Sequence, residues 1–188
     1  MVATRSTDVT FIVLAGPGLP GEDILYLQGA AIAKASGAPD AQVAVNRQLQ
    51  ERMFAIVKAE KDPNAATMKL NAVQDELVAG APDGQKQAAA ATLNAQIRSI
   101  STVWFRYFLS YDPRPVLAKV KCPVLAVNGE RDLQVPYAEN LAAIDRALKA
   151  GGNRDTTTIH LPELNHLFQA AGTGAPPEYA QIEETMSR

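Results

Sequence analysis

The sequence predicts an α/β fold: about three parallel strands carrying a large helical insertion. Three observations carry that prediction. Short β-rich apolar runs occur at residues 9–16, 122–129 and 156–161, each bounded by turn residues. Helical periodicity fills the stretch between the first and second runs. One amphipathic helix separates the second from the third, an order that calls for right-handed crossovers and a parallel sheet. Chain order therefore divides the sequence into a core, residues 1–21 and 99–188, and an inserted helical segment, residues 22–98.

Each element follows from its residues. V-T-F-I-V-L-A-G (9–16) reads as a short buried strand, apolar on both faces and stopped by Gly16-Pro17-Gly18. The helix after it has Glu22 and Asp23 in its first turn and ends at Gly37, which suits the helix dipole and a C-terminal glycine. Residues 40–61 form a second helix, with Val45, Leu49, Met53, Ile56 and Val57 on one stripe, closed by Asp62-Pro63. Residues 64–79 and 83–98 are two more, separated by Gly80-Ala81-Pro82. S-T-V-W-F-R-Y-F-L-S-Y-D-P (101–113) reads as a short helix halted by Pro113, and residues 115–119 add about one turn. C-P-V-L-A-V-N-G (122–129) is the second buried strand. Residues 137–150 are a helix with Tyr137, Leu141, Ile144 and Leu148 on one face, closed by Gly151-Gly152. Residues 156–161 form the third strand, rich in β-branched threonines. The tail is weakly patterned.

Composition excludes several classes. Apolar residues make up 47% and charged residues 20% of the 188, with a net charge of −2, as in an ordinary globular protein. The 18 basic residues are scattered, so no patch points to nucleic acid or an anionic membrane. The single cysteine, Cys122, excludes an internal disulfide and a cysteine-based metal cluster, and reads as a buried inert thiol. No apolar run approaches the ~18 residues of a membrane span. The N-terminus lacks the apolar core of a signal peptide, so the chain as written is expected in the cytoplasm.

Chemistry-bearing residues gather in two loops. In open parallel sheets, functional groups lie at the carboxyl ends of strands. Gly129-Glu130-Arg131-Asp132 follows the second strand and Leu161-Pro162-Glu163-Leu164-Asn165-His166 the third, so both loops open at the same edge. A histidine base must be held in one tautomer, and a carboxylate on one ring nitrogen does this. Singly, Asp132 reads as a turn residue and His166 as a loop histidine. As a pair they read as an acid and its base.

On these two motifs, P-V-L-A-V-N-G-E-R-D-L-Q-V-P and L-P-E-L-N-H-L-F-Q, the chain resembles the C-terminal half of a bacterial α/β-hydrolase of the serine esterase and serine aminopeptidase-like group. F-I-V-L-A-G-P-G and F-L-S-Y-D-P extend the resemblance over nearly the whole chain. It implies a partial α/β-hydrolase fold whose strands match the sixth, seventh and eighth, with residues 22–98 as the lid. It implies Asp132 as triad acid, His166 as base, and a small acyl ester as substrate. Trp104, Phe105, Tyr107 and Phe108 would shape the acyl or leaving-group pocket. No metal or organic cofactor is implied.

The departures from the family pattern are large. Such an enzyme places its serine in a strained strand-to-helix turn, usually G-x-S-x-G, beside backbone oxyanion donors. Serines 6, 36, 99, 101, 110 and 187 lie in no such motif, and Ser99 and Ser101 read as helix caps. The first five strands and most of the last helix also have no counterpart. Met1 matches an internal position of the helix after the nucleophile elbow, so the chain is expected to be a truncated piece and to hydrolyse negligibly alone. Two other readings stay open. One is a helical binding or assembly module that dimerises through the exposed sheet edge at residues 9–16. The other is a peptidase or amidase parent activity.

Overall fold

The computed structural model describes residues 1–187. It contains a three-stranded parallel sheet and seven α-helices among those residues, in the α/β arrangement that the strand and helix order implies. The strands are β1 (Ile12–Leu14), β2 (Val124–Gly129) and β3 (Thr156–Leu161), in spatial order β1-β2-β3. The helices are α1 (Gly21–Ala35), α2 (Asp40–Ala59), α3 (Pro63–Gly80), α4 (Lys86–Ile100), α5 (Val103–Ser110), α6 (Arg114–Leu117) and α7 (Tyr137–Ala150). None is long and apolar enough to cross a membrane. The chain divides into two compact units, residues 1–44 with 112–188, and residues 45–111. The second unit overlaps the expected insertion at 22–98.

In the first unit, β2 is central and pairs in parallel with both neighbours. Alternation along β2 turns Val124, Ala126 and Asn128 inward. The two apolar positions pack against Leu141, Ile144, Ala147 and Leu148 of α7, with Leu117 and Val120 closing the cluster and Cys122 half-buried at its margin. Burial of this kind stabilises by about 25 cal/mol per Å². β1 is shorter than the run 9–16. Its ladder begins at Ile12, whose N–H donates to Pro123 O, and Pro123 has no N–H with which to extend it. Nor is the run buried on both faces: Ile12 and Leu14 pack against the core, whereas Phe11 is 64% and Val13 57% exposed on the face that meets none. At the end of α1, Gly37 takes a left-handed φ of 82° and its N–H donates to Lys34 O, the glycine stop expected from sequence.

The second unit is helical. Asp62 caps α3 by accepting from the Asn64 N–H at 3.0 Å, with Pro63 at the first helical position. Thr102 caps α5 by accepting from the Phe105 N–H at 3.1 Å. Ser101 is the C-cap of α4 through its backbone, its N–H donating to Ile97 O at 3.0 Å, while the Thr102 hydroxyl serves the start of α5. The expected stripe of α2 is rotated: Met53 and Val57 are buried with Phe54, whereas Val45 is exposed. Phe54 meets Phe105 at a centroid distance of 5.7 Å. Leu70, Val73, Leu93, Ile97 and Leu109 complete this core. The Arg106 guanidinium donates to the carbonyl oxygens of Val57 and Glu60, which the end of α2 leaves without helical partners.

Candidate active site

The register of the sheet decides where the two loops emerge. β2 and β3 end in step, Gly129 opposite Leu161, and the Glu130 N–H continues the ladder to Leu161 O at 2.9 Å. The loops after them therefore leave side by side. They are tied at once: the Arg131 N–H donates to Leu164 O at 2.8 Å, and the Glu163 N–H to Glu130 Oε2 at 3.1 Å. Gly129 permits this approach. A Cβ there would stand 2.6 Å from Asn165 O and closer still to Leu164 O.

Asp132 is 6% exposed, yet both of its oxygens are satisfied. Oδ1 accepts from the backbone N–H groups of Gln134 (2.9 Å) and Val135 (2.8 Å), a local turn that fixes the carboxylate plane. Oδ2 accepts from Asn128 Nδ2 at 3.2 Å and faces His166 Nδ1 at 2.9 Å. A carboxylate ringed by donors offers no proton, so Nδ1 carries the hydrogen and Nε2 is the nitrogen left to exchange one. The hydrogen bond from His166 to Asp132 raises the imidazole above its ordinary value of 6.5, against an opposing effect of burial. The His166 side chain keeps 38% of its exposure.

The histidine loop is braced from within. Asn165 is fully buried, and its Oδ1 accepts from the N–H groups of Leu167 (2.9 Å) and Gln169 (3.1 Å) while its Nδ2 donates to Gln169 Oε1. Glu163 and Phe168 take left-handed φ values of 62° and 57°, strain that this bracing holds in place. From the tail, the Tyr179 hydroxyl accepts from the His166 N–H at 3.3 Å and from Gln134 Nε2 at 3.4 Å, so one oxygen touches both loops. Glu178 anchors the next turn. Its carboxylate accepts from the Thr173 hydroxyl and from the N–H groups of residues 172–174, which lowers it to about 2.

Asp132 and His166 are thus brought together. The expected pocket residues lie in the helical unit: Phe105 is in its core, Trp104 stacks on Phe108 at 5.2 Å, and Tyr107 on Tyr111 at 5.5 Å. Among the described residues, no serine hydroxyl hydrogen-bonds to His166, and no cluster of three His, Cys, Asp or Glu side chains is gathered for a metal. Sequence reasoning missed Asn128, Asn140 and Tyr179. The first two carried a signal, a polar residue on the buried side of a strand and of a helix. Tyr179 carried none.

No family model matches the chain, and no curated protein matches it. A solved structure similar to part of it is that of the esterase RhEst1 from Rhodococcus sp. ECU1013, at 23% identity and a TM-score of 0.24. The match covers 63% of this chain and 39% of that one, so the chain spans about two-fifths of that esterase's length.

Proposed function

We propose that this chain carries the acid and histidine of a serine hydrolase of α/β-hydrolase type that cleaves a small acyl ester. The observation behind the reading is the 2.9 Å approach of His166 Nδ1 to Asp132 Oδ2, in loops leaving adjacent parallel strands at one edge. The nucleophilic serine lies in sequence outside residues 1–188, and residues 22–98 form the lid. The serine hydroxyl gives its proton to His166 Nε2 as its oxygen bonds to the acyl carbon. Asp132 stabilises the imidazolium. His166 then passes the proton to the departing alkoxide as the acyl C–O bond breaks. Water repeats the sequence on the acyl-serine, releasing the acid and restoring the hydroxyl. Trp104, Phe105, Tyr107 and Phe108 shape the acyl or leaving-group pocket.

The test has two arms. The purified chain is assayed on p-nitrophenyl acetate and butyrate. The rate is expected to equal that of His166→Ala, and turnover lost in that variant would contradict the external serine. The protein encoded with the frame upstream of codon 1 is then treated with a fluorophosphonate. One serine is expected to label, dependent on His166, and no labelling would sink the proposal.

A second reading is favoured by the exposed edge of β1, where Phe11 and Val13 stand beside unpaired backbone groups. There the chain is an assembly module that pairs β1 with β1 of a second copy. Light scattering decides: a monomer at all concentrations contradicts it.

A further inference from the structure

Beneath the Asp132–His166 pair lies a line of buried side-chain amides that no step of the mechanism uses. Asn128 and Asn140 are 4% and 0% exposed. Asn140 Oδ1 accepts from the Gly18 N–H at 2.7 Å, and its Nδ2 donates to Gly16 O at 3.2 Å and to Asn128 Oδ1 at 2.7 Å. Asn128 Nδ2 in turn donates to Val135 O at 3.0 Å and to Asp132 Oδ2 at 3.2 Å. Every amide hydrogen and both carbonyl oxygens have partners, as burial demands, since an unpaired buried polar group costs about 1–3 kcal/mol.

The order of these bonds is directional. A backbone N–H can only donate, so Gly18 forces Asn140 to turn its oxygen toward Gly18 and its nitrogen toward Gly16 O and Asn128. That nitrogen forces Asn128 to present its oxygen to Asn140 and its own nitrogen to Asp132. Flipping either amide would set oxygen against oxygen or N–H against N–H. The turn itself is fixed: a Cβ on Gly18 would lie 2.9 Å from Ile144 N and 3.2 Å from Asn140 O.

We infer that Asn140 and Asn128 are positioning residues that carry the polarity of the Gly16–Gly18 turn to the oxygen of Asp132 facing His166. Asn128 supplies the second donor on that oxygen and sets how much of its charge is left for the imidazole. Asn140 acts only through Asn128, by preventing its amide from turning over. The inference rests on the reading of Asp132 and His166 as acid and base, but not on any activity.

The experiment is a double-mutant cycle on residues 1–188, read as the pH midpoint of the His166 imidazole by NMR, with His160→Gln to assign the two histidines. Asn128→Leu removes the second donor on Oδ2 and leaves it to the Nδ1–H alone. The His166 midpoint is expected to rise by on the order of one pH unit. Asn140→Leu is expected to move it in the same direction by less, and the double variant by no more than Asn128→Leu. No shift in either single variant, or a double variant equal to the sum, would overturn the inference. The unmutated chain gives an independent reading where a variant fails to fold. The side-chain NH₂ protons of Asn128 and Asn140 are expected to exchange with solvent far more slowly than those of an exposed asparagine such as Asn64, and equal rates would contradict the relay. A failed relay with an unaltered His166–Asp132 contact leaves the proposed function standing, whereas a His166 indifferent to Asp132 removes both.

Discussion

Gly129→Ala is the sharpest perturbation of the site that leaves its chemistry untouched. The added methyl would stand 2.6 Å from Asn165 O and closer to Leu164 O, roughly 1 Å or more inside ordinary contact. Both opposing atoms are backbone, so no side chain can swing away. Overpacking of this kind costs about 1–3 kcal/mol, and rigid opposition puts the change at the upper end. The loop relieves the clash only by lifting, which lengthens the 2.8 Å bond from Arg131 N–H to Leu164 O and adds about 1 kcal/mol. The sum is about 3–4 kcal/mol. Urea unfolding followed by far-UV circular dichroism measures it. With a slope near 2 kcal/mol/M, the midpoint falls by roughly 1.5–2 M. Gly16→Ala is the control: nothing lies within 4 Å of its Cβ position, and its change is expected within about 0.5 kcal/mol. A Gly129→Ala protein matching the control, with its Arg131 amide as protected as before, would refute the seating of the histidine loop on β2.

Other consequences concern stability away from the pair. Glu178 is held at about 2 in the folded chain against an ordinary 4.5. A depressed carboxylate stabilises above the unfolded value and loses that contribution as pH falls from about 4.5 to about 2. Glu178→Gln is therefore expected to flatten the acid limb of the stability profile in that window, and an unchanged limb would count against the anchored turn. Thr102→Ala removes the α5 cap and is expected to lower stability by about 1 kcal/mol, with Thr102→Ser restoring most of it by urea unfolding.

The elements were largely legible because their punctuation is chemical. Acids at 22 and 23, Gly37, Asp62-Pro63 and Gly151-Gly152 stand where helices begin or end. The threonine-rich third strand spans 156–161 as read. Burial was harder to see. V-T-F-I-V-L looks like a central strand, but which faces a strand buries depends on what packs against it, and β1 has one neighbour and an exposed face. The α2 stripe shifted for the same reason, since Phe54 gains from meeting Phe105 what Val45 cannot find. That the loops bearing Asp132 and His166 leave one edge of the sheet was legible from the order of the strands. Asn128 and Asn140 beneath them carried a signal, since Asn140 lies beside Leu141 and Ile144 on the inward face of α7, but the bonds that join them are visible only in three dimensions. Tyr179 sits in a segment with no period, so only the fold reveals it.

Asp132 is proposed to hold His166 as a base with Nε2 free. The direct test is the NMR titration of the His166 ring, in the chain and in Asp132→Asn. The hydrogen bond to Asp132 places the imidazole above 6.5, so the pair stabilises the fold below that pH and loses its contribution as pH rises through the raised value. The expected result is a His166 midpoint above 6.5 with the hydrogen on Nδ1 in the neutral form, falling in Asp132→Asn, where burial acts without its partner. A His166 that titrates at or below 6.5 and ignores the substitution would contradict that role for Asp132.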